Sequence, residues 1–166
     1  SIAITSYQSG FLYHLGCDPK GGLHLHQAAM KKPMGIFYDF KGGLTLASRS
    51  EIVEFKNVLA PNEKINDIFD ACFMPRRVHV TGELDAHDIG IGSNGAPIFV
   101  NTKFNCLATV SDIHSFEEVW RPSFIHTLAG EDRCHLNGMA MRDGEPAYVT
   151  AVSKSNTIDG WRDRRD

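Results

Sequence analysis

The 166-residue chain contains no apolar run near the roughly 20 residues a membrane-spanning helix requires. Its first residues do not join a basic start to an apolar stretch, as a secretion signal does. It opens on Ser1 rather than Met, so the missing leader says nothing of where the protein began. Charge of neither sign dominates: 17 basic and 20 acidic residues leave a net charge of −3, which removes the electrostatic case for nucleic acid or membrane as a partner. Cysteine is sparse and unpatterned. Cys17, Cys72, Cys106 and Cys134 include no CxxC pair, and no Asn-x-Ser/Thr acceptor is present, so the thiols are expected to be reduced and the protein cytoplasmic. P-loop, serine-elbow and HExxH patterns are all missing, which removes the P-loop, elbow-serine and zincin routes to chemistry. Nothing marks a second domain, so residues 1–166 are expected to form one. The locally basic end, Arg162-Asp163-Arg164-Arg165-Asp166, is expected to be a solvated tail.

What the chain does contain is a repeated hairpin. The polar cluster Glu131-Asp132-Arg133-Cys134-His135 runs into a short alternating segment, which breaks at Asp143-Gly144 and resumes through Val149. The same layout occurs at Asp85-Ala86-His87-Asp88 with its break at Asn94-Gly95, and at Lys32-Pro33-Met34-Gly35 with its break at Gly42-Gly43. Gly43, Gly95 and Gly144 lie 52 and 49 residues apart. A period of about 50 residues, each unit opening with two short strands, falls in the range of propeller blades. The expected fold is therefore all-β, part of a β-propeller with about three blades of antiparallel four-stranded sheets. An open arc would leave bare sheet edges. Completion of the ring is accordingly expected from a missing C-terminal portion, a partner chain or a second copy.

In chain order, strands are expected at 3–8, 11–15, 23–28, 35–39, 44–49, 51–56 and 76–83. They continue through the second and third hairpins and at 106–110 and 116–120, with no evident outer strands in the last unit. Within 23–28, alternation sets Leu23 and Leu25 against His24 and His26, and the expectation is leucines to the core and histidines to water. Residues 58–75 read as an insertion. Apolar residues at 65, 68, 69, 72 and 73 have helical spacing, so a short helix is expected there.

Several segments also carry a resemblance: Thr5-Ser6-Tyr7-Gln8-Ser9-Gly10, Pro33-Met34-Gly35, Thr81-Gly82-Glu83-Leu84-Asp85-Ala86-His87-Asp88-Ile89, Val100-Asn101-Thr102-Lys103-Phe104, His114-Ser115-Phe116, Trp120-Arg121-Pro122, Glu131-Asp132-Arg133-Cys134-His135-Leu136-Asn137-Gly138 and Tyr148-Val149-Thr150-Ala151. Through them the sequence resembles an uncharacterised bacterial family known as a domain of unknown function. The resemblance implies a β-propeller-like fold and a chain longer than this one, and it implies no reaction, cofactor or partner.

If the loops entering the first strands meet at one end of the fold, their polar groups converge there. These are His87 and Asp88 from one unit, and Asp132, Arg133, His135 and Asn137 from the next. An imidazole beside a carboxylate can serve as general base or metal ligand, which makes His87, Asp88 and His135 the catalytic candidates. With Asn137 they are also the candidates for holding a divalent cation, Ca or Zn. Arg133 can take a carboxylate or phosphate. Each residue also has a structural reading, as a turn cap or a partner for a buried carbonyl. Trp120-Arg121 and Trp161-Arg162 suit structural cation–π contacts. Cys134 and His135, as strand neighbours, point to opposite faces and make a poor nucleophile pair. Three functions are consistent with these residues: binding of a small polar ligand or protein at the convergent end, a metal-dependent hydrolase of lactonase-like type, and a structural subunit of a larger assembly.

Overall fold

A computed structural model describes residues 1–18 and 20–162, and the basic terminus from 163 onward lies outside the described residues. Alternating segments bounded by turn residues form four antiparallel sheets, taken strictly in chain order. The first contains β1 (Ile2–Ser6), β2 (Phe11–Cys17) and β3 (Leu23–Ala29). The second contains β4 (Ile36–Tyr38), β5 (Gly43–Ala47), β6 (Glu51–Asn57) and β7 (Phe73–Val80). The third contains β8 (Ala86–Ile91), β9 (Pro97–Asn101), β10 (Cys106–Thr109) and β11 (Glu117–Trp120), and the fourth contains β12 (Leu136–Arg142) and β13 (Glu145–Ala151). The all-β expectation stands, and the described residues include no α-helix.

Local chemistry accounts for the turns. Asp143 and Gly144 both have positive φ, +54° and +79°, which is the two-residue turn whose twist suits a hairpin. Arg142 and Glu145 pair directly on either side of it. Pro75, which has no N–H to donate, sits on the edge strand β7, beside a register shift at Glu54/Phe55.

The helix expected within 58–75 is absent. Asn66 and Asp67 both take left-handed φ, +52° and +58°, and Ile65 bridges back to Phe69 across them. Consecutive left-handed residues close a tight turn and cannot continue a right-handed helix. The Asn57 side chain then holds the segment by accepting the amides of Leu59 and Cys72.

Each junction between neighbouring sheets has its own apolar cluster. Leu12, Leu44 and Leu46 lie between the first and second sheets, with Ala3, Met30 and Phe73 against them. Ile52, Leu84, Ile89 and Phe99 join the second to the third. Val100, Leu107, Leu136 and Met139 join the third to the fourth. β5 and β9 are buried along their whole length, so both faces of their sheets are packed and their sequences read as nearly continuous apolar runs.

In the HxH segment the expectation fails for the leucines, while His24 and His26 are exposed as expected although they lie on the face turned to the second sheet. His24 and His26 share a face with Leu12, toward the second sheet, because His14 pairs with His26 and Leu12 with Ala28. Leu23 and Leu25 occupy the outer face and are 76% and 58% exposed. Polarity could not assign the faces, because a histidine can line a cavity and a leucine can sit on a face that no described sheet covers.

Phe99 is fully buried at the junction of the second and third sheets. Phe99→Ala is expected to lower unfolding free energy by about 3–5 kcal/mol, measured by urea titration. A loss below about 1 kcal/mol would contradict this packing.

Candidate functional site

The second, third and fourth sheets are entered through one recurring turn. Lys32, Asp85 and His135 have φ of +45°, +47° and +49°, a conformation that costs a non-glycine residue roughly 1–2 kcal/mol. They lie 53 and 50 residues apart, and each precedes a buried residue, Pro33, Ala86 or Leu136. A bulge follows in two of the three. His87-Asp88 stands out of register between the pairs Ala86↔Asn101 and Ile89↔Phe99. Asn137-Gly138 does so between Leu136↔Ala151 and Met139↔Val149. Bulges of this kind re-aim side chains at the end of a strand. The matching positions show that His135 corresponds to Asp85, while His87 corresponds to Asn137. The two histidines are therefore not counterparts in the repeat, although they meet.

Asp88 holds the neighbouring entries together. One carboxylate oxygen accepts the Ile89 amide at 2.9 Å, and the other accepts the Met139 amide at 2.8 Å, tying β8 to β12. On the other side the Gly35 amide donates to the Ala86 carbonyl at 3.3 Å. The approach is so close that a Cβ at Gly35 would sit 2.8 Å from the Asp88 Cα. Lys32 and Asp85 add an exposed ion pair at 3.6 Å.

The histidines meet within this frame. His135 Nδ1 lies 2.8 Å from Asp132 Oδ2, which also accepts the Trp161 indole N–H at 2.9 Å. A carboxylate can only accept here, so Nδ1–H donates, and Nε2 is left as the ring's other polar atom. The His135 ring stacks on Trp161 with centroids 4.1 Å apart. It meets the His87 ring edge-on at 5.1 Å and 76°. Arg162 lies 4.4 Å from the Trp161 ring centre, as its cation–π reading anticipated. Asp132 Oδ1 is buried and receives no hydrogen bond from the described residues.

His87 is half-buried and makes no hydrogen bond with another described residue. Burial holds its pKa below the ordinary 6.5 and the neighbouring His135 lowers it further, against opposing pulls from Asp85 and Asp132. His87 lines a depression of about 390 Å³ with Thr5, Ser6, Tyr7, Gln8, Pro33 and Met34. The end of β1 and the entries to β4 and β8 thus share one surface.

The remaining candidates are placed differently. Both Asp88 oxygens are occupied by backbone amides. The Arg133 side chain is 12% exposed, and its guanidinium is taken up by Glu131, Thr127 and Asn156, so it pins two loops together and is not open to a ligand anion. Asn137 is exposed. Among the described residues no three His, Cys, Asp or Glu side chains are grouped to hold a metal ion. His87, Asp88 and His135 are thus not grouped with a further such side chain. Cys134 is buried, and burial pushes its thiol up to about 11, which leaves it unreactive near neutral pH.

Three contributors escaped the sequence reading: the Lys32–Asp85 pair, Trp161 as the wall behind His135, and the buried turn 101–105. In that turn Thr102 Oγ1–H donates to the Leu136 carbonyl at 2.6 Å, and Asn105 accepts the Cys134 amide at 3.0 Å. The Asn-Thr-Lys-Phe-Asn run was visible as turn chemistry, but its partners lie some thirty residues further on.

A family model described as a domain of unknown function (DUF4915) matches residues 1–166. No curated protein and no solved structure matches the chain.

The depressed His87 pKa makes stability depend on pH. As pH falls through about 6.5 the unfolded chain takes up this proton first, so stability is complete above that value and declines below it until the folded His87 also titrates. His14, whose pKa is also lowered, adds to the same decline. His87→Gln is expected to lessen the loss of urea stability between about pH 7 and pH 5, with the residue due to His14 persisting. An acid slope identical to that of the unaltered chain would contradict the burial of His87.

Proposed function

The chain belongs to the family described as a domain of unknown function (DUF4915), and from its geometry we propose that the four sheets are consecutive parts of a β-propeller ring whose ligand-binding mouth is the turn cluster around His87 and His135. The strict chain order of the sheets, their apolar cluster at every junction and the common entry turn all support a radial arrangement. Further sheets complete the ring, supplied by more of a longer protein, by a partner chain or by a second copy. Two observations favour this. Ile2, Ile4, Leu23 and Leu25 are exposed on the outer face of the first sheet. In addition, Thr5 Oγ1–H at the end of β1 donates into the entry of the next sheet, at the Met34 carbonyl, as Thr102 Oγ1–H after β9 does at Leu136, one position earlier in that entry. β1 is then the counterpart of β9, a second strand, and the place of a first strand lies beside it.

The ligand is a small polar molecule that presents a hydroxyl or carboxylate oxygen to His87. The observation that carries this reading is the His87 imidazole itself, without a hydrogen-bond partner among the described residues and set against the His135–Asp132 pair at the edge of a depression. Hydrolysis is less well supported. Both Asp88 oxygens are occupied by amides, and the Cys134 thiol stays protonated.

The test is a screen of small hydroxy acids, sugars and amino acids against the full chain, read through histidine imidazole NMR signals. Compounds that bind are expected to shift His87 and His135 together, and His87→Ala is expected to weaken them about tenfold or more, the worth of a hydrogen bond or two. Binding that shifts other histidines and survives His87→Ala would overturn the proposal.

A further inference from the structure

The ends of β1 face two different sites. Its C-terminal end borders the His87 depression, whereas Ser1 borders a cavity of about 370 Å³ between the inward face of β2 and β3 and the segment leading into β7. We propose that this cavity is a separate binding site for an uncharged, ring-bearing organic molecule.

Its walls determine that chemistry. Leu12, Leu44 and Phe55 line it from the sheets, while Ile68, Phe69 and Phe73 line it from the loop and the start of β7. Into this apolar lining project His14, His24 and His26, brought to one face by strand alternation. The imidazoles already pack against aromatic rings. His14 lies parallel to Phe73 with centroids 5.7 Å apart, and His24 meets Phe69 edge-on at 4.9 Å. A flat ring continues such packing at offset-stacked or edge-on geometry. His14 Nε2 is buried and has no hydrogen-bond partner among the described residues, so it is available to one polar atom of the guest.

Charged guests fit poorly. Among the described residues no lysine or arginine lines the cavity to meet an anion. Of its two carboxylates, Asp18 has one oxygen taken by the amides of Lys20 and Gly22, and Asp70 lies exposed at the rim. Burial also keeps the His14 imidazole on the neutral side, with His26 acting in the same direction. A neutral ring with one hydrogen-bonding group satisfies both the hydrocarbon walls and the orphan nitrogen.

Nile red, which is planar and uncharged, serves as the probe on the full chain. Saturable one-to-one binding is expected, with affinity reduced at least tenfold by Ile68→Asp, a change at a half-exposed loop position. Leu25→Asp, on the opposite face of the first sheet, is expected to leave the affinity unchanged. A second readout needs no variant: added indole should shift the imidazole signals of His14 and His24. Absence of saturable binding, loss of binding in Leu25→Asp with retention in Ile68→Asp, or an indole response confined to His87 and His135 would each overturn the proposal.

Discussion

The Asp88 carboxylate, shared between the amides of Ile89 and Met139, is the contact on which the rest of the molecule turns. It fixes the bulge at the head of β8 and draws the head of β12 alongside, and its own backbone is pressed against Gly35 at the head of β4. Charge-assisted bonds from a carboxylate to backbone amides are among the stronger polar contacts available to a protein. Here they offset the strain of left-handed residues repeated at each entry. Asp88, one of the candidate ligands in the sequence, is therefore a brace, and the imidazoles lie in the frame it holds.

Those groups form an unusual local balance. Two imidazoles in contact would repel if both were charged, and burial resists charging His87 as well. Asp132 orients the other ring through Nδ1 and is itself held by the Trp161 indole. The result is a hydrogen-bonding surface beside an exposed Lys32–Asp85 pair. Such a surface suits polar recognition more readily than the capture of a highly charged partner.

Much of the fold was legible in the sequence because alternation and turn residues report on local backbone. Every expected strand formed, and the spacing of Gly43, Gly95 and Gly144 correctly marked the hairpins. Facing was not legible at Leu23 to His26, since the outer face of the first sheet is uncovered among the described residues and its inner face lines a cavity, so polarity marks no inward direction. The 65–73 segment misled for a related reason: its apolar residues line a cavity, and Asn66-Asp67 encodes a turn that apolar periodicity ignores. At the site, composition could name His87, Asp132 and His135. It could not show that Asp88 and Arg133 were already engaged, because Met139 lies 51 residues from Asp88, and Asn156 lies 23 from Arg133.

The central claim is that His87 and His135, from different sheets, touch at one end of the fold. A nuclear Overhauser experiment on the full chain, with assigned histidine ring protons, tests this directly. Imidazoles with centroids 5.1 Å apart predict a cross-peak between the His87 and His135 ring protons, accompanied by one from His135 to the Trp161 indole. Sharp, assigned signals from both rings with no cross-peak between them would contradict the account.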